Sequence, residues 1–243
     1  MFRMNCAGKS DVGLKRSNNE DSLVVEPTLG LLVVADGMGG AASGEVASQI
    51  FADTAREVFL ASEPKSDAIV SSLVQKAFLL ANDRIFTMAI ENRQRRGMGC
   101  TAELLALYDE KYTLGHVGDS RTYLLRQGKL RQITKDHSLI QEQIDEGLIS
   151  SAEARTHALR NIIVRAVGVR EALPVDLVKG TTQPGDIFLL CSDGLTDMLE
   201  DDQIQELLSL PLSPNEKVEK LIDAAKSAGG YDNITVALCE AKK

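Results

Sequence analysis

Two short apolar runs, residues 31–35 (LLVVA) and 187–191 (IFLLC), are unbroken by any polar side chain. Runs of that kind and length predict strands covered on both faces. Between them, residues 102–107, 112–117, 122–126 and 129–134 read as consecutive strands, and Gln127-Gly128 as a two-residue hairpin loop joining the last two. Residues 233–238 (NITVAL) form a final strand. Apolar positions recur at three and four through 44–60 and 68–91, which predicts two long helices. Ser66 or Asp67 would cap the second. Residues 201–208 and 216–227 predict two further helices, with Pro214 close to the first turn of the second.

Strands that follow one another, rather than alternating with helices, favour an α+β fold of antiparallel sheets with helices packed outside. No repeat or linker-like tract interrupts the chain, so one domain spanning 1–243 is expected. Residues 137–170 carry charges, Gly147, Ser150 and Ser151 with only weak periodicity, and read as an excursion from the core, a flap beside the site.

Composition narrows the function. The 243 residues are 44% hydrophobic and 26% charged, contain no tryptophan, and carry a net charge of −8. An acidic chain is a poor partner for nucleic acid or an anionic membrane surface. The four cysteines, Cys6, Cys100, Cys191 and Cys239, include no CxxC pair. Cys191 and Cys239 lie in apolar runs and read as buried thiols. With no signal peptide or membrane-length apolar run, a cytoplasmic location is expected.

The placement of the acids points to chemistry. The run 31–35 ends in Asp36-Gly37, and 187–191 ends, after Ser192, in Asp193-Gly194. The strand ending at Val117 runs into Gly118-Asp119, Asp232-Asn233 precedes the last strand, and Asn19-Glu20-Asp21 precedes the apolar 23–25. A single Asp-Gly after a strand is ordinarily a turn. Several brought to one sheet edge would repel one another and raise one another's pKa unless cations neutralise them. A pocket rich in oxygen and poor in histidine suits Mg²⁺, Mn²⁺ or Ca²⁺ rather than zinc. No EF-hand loop is present, and the glycines of 37–40 match neither GxGxxG nor a P-loop.

These residues resemble the protein phosphatase 2C family, the metal-dependent protein phosphatases, in its compact bacterial form. The matching stretches run in family order across nearly the whole chain: Gly13 to Arg16 and Asn19-Glu20-Asp21; Val34-Ala35-Asp36-Gly37-Met38-Gly39-Gly40; Ser43-Gly44-Glu45; Gly97-Met98-Gly99-Cys100-Thr101; Gly115-His116-Val117-Gly118-Asp119-Ser120-Arg121; Thr134-Lys135-Asp136-His137-Ser138; Arg160-Asn161; Arg165-Ala166-Val167-Gly168; Ser192-Asp193-Gly194-Leu195; and Asp232-Asn233-Ile234-Thr235. The resemblance implies a four-layer α-β-β-α sandwich with a centre of two Mn²⁺ or Mg²⁺ ions in the cleft between sheet edges. It implies that Asp36 bridges the ions, that the Gly37 carbonyl binds one, and that Asp193 and Asp232 bind the other. Glu20 and Asp21 would act through water, and Asp119 with Asp193 would form a third metal site. Arg16 would grip the substrate phosphate, and Asn233 would support Asp232. The implied reaction is hydrolysis of phosphoserine and phosphothreonine by direct attack of a water shared between the ions. The implied partners are phosphoproteins, substrates of a serine/threonine kinase, met by a monomer. The alternative readings are a pseudophosphatase that only binds phosphoproteins and a small-molecule phosphoesterase. Two positions depart from the family pattern. Ala41 stands where bacterial members often carry histidine, which leaves proton donation to a water or to His157 in the flap, and Ala158 stands where proline often follows.

Overall fold

The computed structural model describes residues 3–39, 43–62, 66–154 and 157–242. Five strands form one antiparallel sheet in the order β1-β11-β10-β7-β8: β1 (Arg3–Asp11), β11 (Ile234–Lys242), β10 (Ile187–Cys191), β7 (Arg121–Arg126) and β8 (Lys129–Gln132). The second sheet runs β2 (Asp21–Glu26), β3 (Leu31–Met38), β5 (Ala102–Tyr108), β6 (Lys111–Val117) and β9 (Asp176–Thr181), with the short β4 (Gly99–Cys100) paired to the end of β3.

Three buried clusters account for the layers. Leu32, Val34, Leu105 and Leu114 of the second sheet meet Leu124, Phe188, Leu190 and Ala237 of the first, so the sheets pack face to face. The other face of the second sheet packs Val33, Ala35 and Leu104 under α1 (Gly44–Leu60) and α2 (Asp67–Glu91), where Phe51 and Phe78 meet edge-on at 4.8 Å. The outer face of the first sheet packs Leu189 and Val236 against α6 (Asp201–Ser209) and α7 (Pro214–Ser227). This is the helix–sheet–sheet–helix arrangement expected. Strands β3 and β10 are buried on both faces because each lies inside its sheet with helices on one side and the facing sheet on the other.

Local chemistry sets the boundaries. Ser66, not Asp67, caps α2, its hydroxyl accepting from the Ile69 N–H at 3.4 Å. A reciprocal Ser213–Glu216 capping box opens α7, with Pro214 in its first turn. Gln127 (φ 52°) and Gly128 (φ 75°) form the β7–β8 hairpin, both central residues left-handed as such a turn requires.

Strand β1, the two-residue β4 and strand β9 have no counterpart among the strands expected from the sequence. Strand β1 alternates weakly, with Ala7 its one clear core residue, and is held by nine register pairs with β11. Strand β9 is a charged, largely exposed edge strand inside what reads as irregular chain. Cys239 also needs correction: it is buried, but not as a free thiol. The register that sets Cys6 opposite Cys239 joins them in a disulfide, a contact between positions 233 residues apart. Cys100 and Cys191 are the buried free thiols, and burial raises the pKa of both. Within the 137–170 excursion lie α3 (Leu139–Asp145) and α4 (Ser151–Ala154), followed by irregular chain. Among the described residues no helix is long and apolar enough to cross a membrane.

Candidate metal centre

The antiparallel pairing of β2 with β3 places Asp21 directly opposite Asp36. From the facing sheet, β10 ends at Cys191 and the chain turns through Ser192 into α5 (Asp193–Thr196), while β11 starts two residues after Asp232. Ser192 links the two sheets. Its hydroxyl donates to Asp21 Oδ2 at 2.8 Å and accepts from the Thr235 N–H at 3.0 Å. Asp119 follows β6 and is buried. Thr101 ties its loop to Asp36: the Thr101 Oγ1 accepts from the Asp36 N–H at 3.1 Å and lies 2.6 Å from Ser120 Oγ.

Backbone contacts hold the remaining loops. The Glu20 carbonyl accepts from the Gly37 N–H at 3.1 Å and from Ser48 Oγ at 2.5 Å. Asn233, read from the sequence as minor support, joins three segments: its Oδ1 accepts from the Glu20 N–H at 2.8 Å, and its Nδ2 donates to the carbonyls of Val12 at 3.1 Å and Asn18 at 2.9 Å. Gly37 lies against Gly44 and Glu20, with no room for a Cβ. Gly194 lies in the same way against the Asn233 carbonyl.

The electrostatics follow from this crowding. Burial pushes the Asp36 carboxyl well above the usual range, and the charges of Asp21, Asp193, Asp119 and Asp232 push it further. Asp193 is raised likewise by burial and then by Asp119, Asp197, Asp232 and Asp21. Burial brings Asp21 to about 6 and Asp119 to about 7. Glu20 is raised by burial and by neighbouring Glu45. Arg16 is exposed, and its Nη2 lies 2.7 Å from Asp232 Oδ2.

These residues fit divalent cations. Asp21 Oδ1, Asp119 Oδ1 and Asp193 Oδ1 are buried without a hydrogen-bond partner, and such acceptors call for a proton, a water or a cation. All donors here are oxygens, as hard ions require. The acids converge without completing a ligand shell. Among the described residues no three His, Cys, Asp or Glu side chains stand in a coordinating group, and Asp232 and Asp21 instead turn to Arg16 and Ser192. Gly40 and Ala41, which the sequence reading uses for the loop and its missing histidine, lie outside the described residues.

Four nearby side chains lie outside the set expected to hold ions or phosphate. Arg121 forks onto Asp136 with contacts of 2.6–3.0 Å, bracing the Asp119 turn. His116 is buried on β6, hydrogen-bonded to Glu103 and to the Lys135 carbonyl at 2.8 Å. His137 accepts from the Gly118 N–H at 3.0 Å. His157 accepts from the Leu159 N–H within its own flap turn, at 3.2 Å.

A family model described as protein phosphatase 2C matches residues 14–227. The serine/threonine protein phosphatase PstP of Mycobacterium tuberculosis is 40% identical over 234 residues, which is 96% of this chain but 44% of PstP, so this chain spans less than half the length of that relative. The protein phosphatase PhpP of Streptococcus pneumoniae is 34% identical over 232 residues, 94% of each chain. Among solved structures, M. tuberculosis PstP superposes with a TM-score of 0.92 at 38% identity over 99% of both chains. The catalytic domain of PstP in complex with two manganese ions superposes with a TM-score of 0.91 at 37% identity over the full length of both. With matching motifs from Arg16 to Asn233, a family model over most of its length and the same fold, this chain belongs to the protein phosphatase 2C family.

Proposed function

We propose that the chain is a metal-dependent protein serine/threonine phosphatase, a single catalytic domain over 1–243 with a flap at 137–170. The observation that carries this reading is the set of buried, unpartnered carboxylate oxygens on Asp21, Asp119 and Asp193 beside the raised Asp36. Asp36, the Gly37 carbonyl, Asp193 and Asp232 would hold two Mn²⁺ or Mg²⁺ ions, Asp119 with Asp193 would hold a third, and Glu20 and Asp21 would orient water. Bound there, such ions acidify water and neutralise phosphoryl oxygens for in-line displacement. Arg16, exposed at the rim, offers its planar fork to the substrate phosphate, exchanging Asp232 for that anion. Asn233 keeps the Glu20 and Asp232 loops in register. The substrates are phosphoproteins made by a serine/threonine kinase in the cytoplasm, met by a monomer.

The test is phosphate release from a phosphothreonine peptide. It should require Mn²⁺ or Mg²⁺ and stop in excess EDTA. Full activity in EDTA refutes the reading. Binding without turnover supports a pseudophosphatase, and turnover of metabolite esters alone supports a small-molecule phosphoesterase. Replacing Arg16 by alanine should raise KM about 10-fold with a smaller change in kcat, the signature of a lost ground-state contact to phosphate. An unchanged KM would remove Arg16 from phosphate binding.

A further inference from the structure

Asp119 leaves β6 through Gly118, whose φ of 112° is open to glycine and strained for other residues. The Asp119 carboxylate does little to fix its own place: it is buried, and its Oδ1 has no hydrogen-bond partner. One residue from a distant loop grips the turn instead. The His137 N–H donates to the Gly118 carbonyl at 2.7 Å, and the Gly118 N–H donates back to His137 Nδ1 at 3.0 Å. Both polar groups of the glycine that aims Asp119 therefore end on His137. Accepting that bond leaves Nδ1 without a proton, so the ring carries its N–H on Nε2, which faces Asp176 Oδ2 at 3.2 Å.

His137 is itself held from several directions. Its carbonyl accepts from the Val164 N–H at 2.9 Å, next to the bond from the Leu139 N–H to the Ile162 carbonyl, also 2.9 Å, where the two ends of the flap meet. Its ring is buried and lies against the ring of His116, with centroids 4.5 Å apart. The His116 ring is pinned in turn, by the Lys135 carbonyl on Nε2 at 2.8 Å and by the buried Glu103 on Nδ1.

We propose that His137 is a positioning residue for the reaction: its Nδ1 and N–H, closed on the two sides of Gly118, set where the Asp119 carboxylate stands. The inference rests on the phosphatase reading and deepens it, because Asp119 is one of the acids proposed there to hold an ion. Groups that orient a metal-binding side chain without touching the metal typically matter 10- to 100-fold in activity or metal affinity. His137 is remote from the exposed Arg16 that would grip phosphate, so its loss should act on turnover and not on substrate affinity.

The experiment compares His137→Asn, whose side-chain oxygen can take the place of Nδ1, with His137→Gln, whose oxygen falls near Nε2 and leaves the Gly118 N–H without its acceptor. Turnover of a phosphothreonine peptide with saturating Mn²⁺ is read per mole of protein shown by its melting curve to be folded. The asparagine variant should stay within about 3-fold of the wild type in kcat, and the glutamine variant should lose about 10-fold with KM nearly unmoved. Placed on an Asp119→Asn background, His137→Gln should cost less than about 2-fold more, because the carboxylate that it positions is gone. Should the glutamine variant fail to fold, His137→Leu, which also lacks the acceptor, takes its place. Equal kcat in the asparagine and glutamine variants overturns the inference, and so does a 10-fold cost that persists without Asp119. A wild type that releases no phosphate from the peptide with Mn²⁺ is a different outcome: the phosphatase reading has then failed, and the inference with it.

Discussion

Replacing Asp36 by asparagine is expected to lower Mn²⁺-dependent phosphopeptide turnover by roughly 10³-fold or more, a loss of ~4 kcal/mol in the barrier, and at the same time to raise the thermal midpoint of the metal-free protein. The two effects have one cause. Asp36 sits where burial and four neighbouring aspartates disfavour its charge. An acid whose pKa is raised by folding binds its proton more tightly in the folded than in the unfolded state. Its cost to stability is therefore present above the raised pKa and fades as the pH falls toward the ordinary carboxylate value near 4. The asparagine variant should thus gain most at pH 8 and little at pH 5. Each kcal/mol of relief corresponds to roughly 2–4 °C in a domain of this size.

The metal-free wild type should itself weaken as the pH rises from about 4 toward 7, because Asp21 at about 6 and Asp119 at about 7 lose their protons in that window. His137, pushed down to about 4 by burial, works in the opposite direction: it loses stability as the pH falls below its unfolded value of ~6.5. Comparing variant with wild type at each pH cancels the His137 contribution, while Asp21 and Asp119, whose charges act on Asp36, are relieved together with it in the variant. Mn²⁺ should raise the midpoint of the wild type and leave that of the variant nearly unmoved. A variant that melts lower when metal-free, and still gains the full shift from Mn²⁺, would show that these acids do not form a crowded cation pocket.

Gly194→Ala should cost about 10²-fold in kcat with the acids all in place, since a displacement near 1 Å is enough to misalign reacting groups. A Cβ on Gly194 would overlap the Asn233 carbonyl, a backbone atom that cannot rotate away. Asn233 in turn holds Glu20, Val12 and Asn18. The added methyl must therefore spread the Asp193 turn from the Asp232 turn and disturb the loop that carries Glu20. Gly185→Ala is the control: its left-handed φ of 88° strains a side chain too, but nothing lies within 4 Å. Phosphopeptide kinetics beside thermal melts decide the matter. If both variants lose stability equally and neither loses kcat, the contact between the two turns does not set the spacing of the acids.

What could be read in the sequence divides along physical lines. Residues 31–35 and 187–191 were legible because a strand buried on both faces leaves an unbroken apolar run. The acids were legible because each follows or precedes such a strand, where the chain must leave the sheet. The groups that hold the acids were not. Ser192 reaches Asp21 across 171 positions, and Thr101 reaches Asp36 across 65. A serine or threonine carries no local sign of so distant a partner. Asn233 looked like a turn residue because its three partners lie more than 200 positions away. Strand β1 escaped because small and polar residues fill it, and its place is fixed by β11 rather than by its own pattern. The Cys6–Cys239 bond depends on that same register.

That terminal ribbon also decides where neighbours can be attached. Arg3 pairs with Lys242 at one end, and Asp11 pairs with Ile234 at the other, two residues from Asp232. Eight steps of ~3.3 Å from Arg3 to Asp11 separate the two ends by roughly 26 Å. A tag, a tether or another module spliced on beyond Arg3 or Lys242 would therefore leave from the far side of the molecule, and from nearly the same point whichever terminus carried it. The mouth of the proposed metal centre would stay open to bulky partners while the protein was anchored from behind.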